Sequence, residues 1–217
     1  MQDDNANITR RVLFLIEGFA INNKGLFEKQ RDELIERYIG DEITDHQIGM
    51  FFLNDLIRYY RTICVDFEYK TFEDNKPWGI RNIKLIFSRK LIYFSGVVMA
   101  AEMYQRSVQQ KKKLMRDLIA LPPIERIQTT CRANADRAIE SYSLFLRAIE
   151  SADTRKMLEK VTASRKTHVE AFKELKNEGH HFAFHLMSAL KNTYTESHPI
   201  HRALARPIRE SAVFWSD

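Results

Sequence analysis

The sequence predicts an all-α fold, a multi-helix bundle of about seven or eight helices built around one long central helix. Apolar residues recur at three- and four-residue spacing in nearly every segment from Asn7 to Glu150, and no stretch alternates with the period of two that a strand requires. Only 7 Gly and 5 Pro interrupt 217 residues, so the elements should be long. Hydrophobic residues make up 44%, enough for a sizeable core, with 14 Phe and 8 Tyr to supply large buried surfaces.

The elements follow in order. Val12, Leu13, Phe14, Ile16, Phe19 and Ala20 form the apolar face of a first helix, which starts at Asn7 and stops near Asn22-Asn23. Leu26 to Tyr38 is a second, closed by Gly40, and Asp41 to Asp45 is a turn. His46 to about Tyr69 is a third, with Phe52, Leu53, Leu56, Ile57, Tyr60, Ile63, Cys64 and Phe67 on one broad face. A polar loop through Asp74, Asn75 and Pro77 leads to the long central helix, Gly79 to Ala120, which bends near Gly96 and stops at Pro122-Pro123. Pro123 opens a fifth helix to about Ser151. Asp153 caps a sixth through Lys176, Glu178 to Lys191 is a seventh, and Pro199 to Phe214 an eighth, interrupted at Pro207. Residues 1–217 read as a single helical domain, with Pro122-Pro123 as the place where two sub-bundles would divide.

The longest uncharged run, Leu91 to Ala101, is too short to span a bilayer, which takes roughly 20 apolar residues. The acidic start, Gln2-Asp3-Asp4-Asn5, is unlike a signal peptide, so no membrane role is expected and the localisation reads as cytoplasmic. Cys64 and Cys131 lack any partner spacing and read as two reduced thiols. The net charge of +5 is unevenly spread. Residues 1–75 hold 9 Lys/Arg against 15 Asp/Glu, residues 76–116 hold 10 against 1, and the remainder 15 against 13. The basic middle either meets an anionic partner or pairs with the acidic first third.

Two helices carry the candidate site. The first half of the central helix is apolar almost all round, yet Arg81, Lys84, Ser88 and Ser95 fall in one narrow stripe at 100° per residue. Cations on a buried helix must be paired or bound to something. Donors of this kind suit phosphate oxygens, whereas the alternative pairs Arg81 and Lys84 with Asp55 or Asp66. Asn54, Arg58 and Arg61 share a face of the preceding helix, and the short connection favours antiparallel packing that would bring the two stripes together. Tyr59, Tyr60 and Trp78 either stack a base or belong to the core.

The string Asn54-Asp55-x-x-Arg58-Tyr59-Tyr60-Arg61-Thr62, followed by Trp78-Gly79-Ile80-Arg81-Asn82-Ile83-Lys84 and Ser88-Arg89-Lys90, resembles the helical domain that follows the catalytic domain in bacterial nucleotidyltransferase-like proteins. Ile8-Thr9-Arg10-Arg11-Val12-Leu13 resembles its start, and the likeness covers roughly residues 7–100. It implies a bundle that packs on a nucleotidyltransferase domain or subunit and helps bind a nucleotide, RNA or a partner. The catalytic half is not part of it, because the chain holds no Gly-Ser pair and no Asp-x-Asp for Mg²⁺. The chain is then a helical fragment, a split subunit or a stand-alone relative. HEPN-type RNase chemistry is not expected either, since none of the seven His has an Arg upstream of it at the four-to-six-residue spacing that motif uses.

No cofactor fingerprint is present. Glu178, His181 and His185 share a helix face, with His198 and His201 following, which makes them weak metal candidates or simply a His-rich solvated end. Lys111-Lys112-Lys113 with Arg106 and Arg116 is a solvated face or, on a projecting helix, a contact to a nucleic-acid backbone. The expected function is thus a non-catalytic helical domain of a nucleotidyltransferase-like system, binding an anion through Asn54, Arg58, Arg61, Arg81, Lys84 and Ser88. The alternatives are a scaffold subunit docking an acidic partner and a non-specific nucleic-acid binder.

Overall fold

A computed structural model of the chain describes residues 4–72, 77–162 and 169–210. Those residues form α-helices joined by short turns, with no strand among them. In order they are α1 (Asn5–Ile16), α2 (Lys24–Tyr38), α3 (Met50–Phe72), α4 (Trp78–Lys84), α5 (Lys90–Ala101), α6 (Val108–Ile119), α7 (Pro123–Cys131), α8 (Asp136–Glu150), α9 (Ala152–Glu159), α10 (Glu170–Thr193) and α11 (Pro199–Glu210). A π turn, Leu85–Arg89, joins α4 to α5 into one rod, whereas α7 ends at Arg132, whose φ of 50° opens the 3-10 turn Arg132–Ala135 that leads to α8. The predicted loop at Asp74-Asn75, residues 163–168 of the sixth predicted helix and residues 211–214 of the eighth lie outside the described residues.

The expected helix from Gly79 to Ala120 is not one helix. The rod ends at Ala101, and α6 starts afresh behind a capping box, in which Ser107 Oγ accepts from the Gln110 amide and Gln110 Oε1 accepts from the Ser107 amide. Between them Gln105 adopts a left-handed conformation, φ 56°, which turns the chain. Gly96 does not bend the rod either. A Cβ there would stand 2.6 Å from Leu56 Cδ2, so its glycine lets α3 approach closely. The irregularity is the π turn, 7 residues earlier by its last member, Arg89.

α5 is the centre of the molecule, and all its residues but Tyr93 are buried. α3 runs antiparallel to it, as the register shows: Leu56 meets Gly96, Tyr60 stacks on Tyr93 at 4.8 Å, and Phe67 lies 6.4 Å from Trp78. α1 packs on α3, and α7 packs on α5 across the Pro122-Pro123 corner. α8 and α10 pair and close the far side, where Phe87 stacks between Phe145 at 4.5 Å and Phe182 at 5.3 Å. Full burial of one such ring is worth about 1.5–3 kcal/mol. One continuous apolar cluster runs from Ile8 to Leu204, drawing on both sides of the corner. No helix among the described residues is long and apolar enough to cross a membrane.

Candidate functional site

The six predicted site residues part company in the structure. Asn54, Arg58 and Arg61 are exposed on the outer face of α3. Arg81 is half-buried on α4, its guanidinium 5.7 Å from the Phe67 ring centroid, and Nη1 has no hydrogen-bond partner among the described residues. Lys84 points to solvent, while Ser88 turns to the opposite neighbour and accepts a 3.4 Å hydrogen bond from the Tyr142 hydroxyl of α8. The π turn explains this. A widened turn rotates everything after it by roughly a quarter of a revolution, so the stripe drawn at 100° per residue breaks between Lys84 and Ser88. Ser95 completes the break, buried and bonded to its own helix at Ile92 O.

The alternative pairing fares no better. Asp55 accepts from Arg11 Nη2 and, at 2.7 Å, from Tyr38 Oη, and Asp66 pairs with Lys70 on the next turn of α3. Tyr59 and Tyr60 are core residues, and Trp78 sits between Phe67 and Phe172, so these rings serve packing.

What α3 does present is a long mixed surface. Phe51 is 74% exposed, Val65 69% and Tyr69 61%, and they lie along the same face as Asn54, Arg58 and Arg61. The row 51, 54, 58, 61, 65, 69 climbs in steps of three and four, which keeps it on one side for about 27 Å.

The lysine run turns inward. Lys111 is fully buried, and its ammonium donates to the carbonyls of Thr44 at 2.9 Å and Asp45 at 3.2 Å, and to that of Arg106. Lys112, 5% exposed, pairs with Glu36 and with Asp41. Arg116 reaches Asp32 and Glu36 on α2, and Arg89 reaches Glu17. Acids of the first third thus pair with Arg89, Lys112 and Arg116 of the basic middle, and only Lys113 of the three lysines faces solvent. That leaves no lysine surface for a nucleic-acid backbone along this run.

Sequence reasoning missed the most buried arginine. Arg126, 2% exposed, donates Nε to Leu118 O and Leu121 O and Nη2 to Ile16 O and Ile119 O. Arg31 adds bonds to Leu15 O and Ile119 O. Together they satisfy the free carbonyls at the C-terminal ends of α1 and α6. Burial first, and then the nearby Arg31 charge, bring the Arg126 pKa down to about 10. Lys90, 9% exposed in α5, is likewise pushed down by burial, to about 8, with Cys64 partly opposing the shift.

The imidazoles do not gather. His181 and His185 stand 6.4 Å apart, ring to ring, on α10 beyond Glu178, and among the described residues no three His, Cys, Asp or Glu side chains group as a metal site. His198 instead lies between Tyr104 and Tyr194 and caps α11, its Nδ1 accepting from the Ile200 amide at 3.2 Å. Burial holds its pKa below the ordinary value, in keeping with a neutral ring that accepts. His201 bonds to Tyr194 O at 3.0 Å. Cys64 and Cys131 are free thiols, and burial pushes Cys64 up to about 11.

A groove opens between α1 and α2. α1 turns Asn7, Arg10, Arg11 and Phe14 toward α2, and α2 answers with Gln30, Glu33, Leu34 and Arg37. Each set is spaced i, i+3, i+4, i+7, so a whole face of each helix borders the gap. The groove encloses about 440 Å³. Comparison of the chain with family models, curated proteins and solved structures finds no match.

Proposed function

We propose that this chain is a helical docking module that receives an acidic partner protein on the outer face of α3. The observation that carries the reading is the row of Phe51, Asn54, Arg58, Arg61, Val65 and Tyr69, exposed along one side of one helix. Single exposed apolar residues are ordinary, but aromatic residues aligned with arginines have the composition of protein interfaces and their hot spots. The row cannot pair well with itself. In two antiparallel copies crossing near residue 60, Arg58 and Arg61 of each would meet, crowding four guanidiniums at the centre. A partner with carboxylates at that centre and apolar pockets at both ends fits instead. The resemblance over residues 7–100 supplies a candidate, a nucleotidyltransferase-like domain or subunit. The inward lysines favour this reading over nucleic-acid binding, since Lys111 and Lys112 are held inside the fold while Arg58 and Arg61 stand exposed beside apolar residues on α3.

Photo-cross-linking residues placed at Phe51 and Tyr69 in the native host test it. One acidic protein trapped from both positions, whose purified form loses about tenfold or more in affinity for Arg58→Glu/Arg61→Glu, supports the reading. Trapping at neither position, or an affinity indifferent to the charge reversal, refutes it.

A further inference from the structure

We infer that the groove between α1 and α2 binds a phosphorylated ligand that carries an aromatic ring, of the nucleoside phosphate class. This goes beyond the α3 reading and uses different residues.

The groove has a closed end, a rigid floor and charged walls. At the hairpin end the rings of Phe14 and Phe27 stand 4.9 Å apart, which closes the gap with aromatic surface. On the floor Arg11 is fixed, its Nε donating to Tyr38 Oη at 2.8 Å and its Nη2 to the buried carboxylate of Asp55. Arg10 and Arg37 stand on opposite walls and are exposed. Neither makes a hydrogen bond or ion pair among the described residues, unlike Arg31, Arg89, Arg106, Arg116 and Arg126. Three guanidiniums thus border a space whose own lining offers one carboxylate, Glu33.

That arrangement selects the ligand by its chemistry. Arginine forks match phosphate oxygens, and an anion between the walls can take hydrogen bonds from Arg10 and Arg37 together. Phe14, half-buried at the closed end, offers a face on which a planar ring can stack. The Gln30 amide and the Glu33 carboxylate stand on the wall between ring and phosphate, where an amide donates and accepts and a carboxylate accepts from an N–H or a hydroxyl. The volume, about 440 Å³, falls in the usual range for a small-molecule site. Inorganic phosphate would use only the arginines.

Calorimetric titration of the intact chain with ATP, GTP and pyrophosphate at low salt tests the assignment. The expected result is that a nucleoside triphosphate binds more tightly than pyrophosphate. Arg10→Ala/Arg37→Ala, at exposed positions, should weaken binding by about tenfold or more with an unchanged helical spectrum. Phe14→Leu should weaken the nucleotide and leave pyrophosphate unaffected. Absence of heat from either nucleotide at millimolar concentration, or binding that survives the double alanine variant, overturns the site. Pyrophosphate binding as tightly as ATP overturns the aromatic half of the assignment.

Discussion

Two groups of cations in this molecule stand in opposite situations. Lys111, Lys112 and Arg126 are buried, whereas Arg58 and Arg61 are exposed on α3. The difference lies in the backbone beside them. Arg126 sits where α1 and α6 end, and Lys111 beside the turn before α3, where it donates to Asp45 O and shares Thr44 O with the Gln47 amide. Helix ends and turns carry acceptors that no helix bond uses, and a cation that reaches them is stabilised enough to stay dry. Arg58 and Arg61 lie in the middle of a 23-residue helix, whose carbonyls are already bonded, so they remain outside. A run of charges in a sequence is therefore not a surface until the helix ends around it are known.

Among the buried lysines the largest expected effect is at Lys111. Lys111→Ala leaves the carbonyls of Asp45 and Arg106 without a donor and should destabilise by about 2–4 kcal/mol in urea unfolding, whereas Lys113→Ala, two residues along and exposed, should change stability by less than about 0.5 kcal/mol. Equal effects at the two lysines would erase the distinction between them.

Lys90 sharpens the comparison through pH. Its native pKa of about 8 lies below the ordinary 10.5, because burial disfavours the charge. Between those values the unfolded chain keeps a proton that the native chain has released, so stability rises with pH across that window. Below pH 8 the native state bears the whole cost of a buried ammonium. Lys90→Met should stabilise by about 1–3 kcal/mol at pH 7 and flatten the rise between pH 8 and 10.5. Destabilisation at pH 7 would mean that the ammonium is held by interactions stronger than its burial cost.

A smaller effect tests the packing that leaves the α3 face outward. Gly96→Ala puts a methyl 2.6 Å from Leu56, itself fully buried, and should cost about 1–3 kcal/mol by overpacking. If Gly96 were a hinge, alanine would stiffen the helix and raise the melting temperature.

Much of the fold was legible because helical periodicity is local. The ends were less so. Ser107 and Gln110 spell a capping box that marks the start of α6, yet the apolar pattern on either side continues and masks the break. The π turn has no such spelling in Leu85–Arg89, and it is what separates Arg81 from Ser88. Of the candidate site, Asn54, Arg58 and Arg61 were readable as one face because α3 is regular throughout. Arg126 looked like any first-turn arginine, since its role depends on the carbonyls of Ile16, which is 110 residues away in the chain. The groove residues Arg10 and Arg37 belong to two helices whose facing spacing acquires meaning only when the hairpin is formed.

The division between buried and exposed cations is tested most directly by urea denaturation of Arg126→Ala beside Arg58→Ala/Arg61→Ala at neutral pH. The account predicts a loss of about 3–5 kcal/mol for the first, whose removal leaves helix-end carbonyls buried without donors. It predicts a change within about 0.5 kcal/mol for the second, whose side chains meet solvent. A stable Arg126→Ala, or a double α3 variant that unfolds as readily as Arg126→Ala, would contradict it.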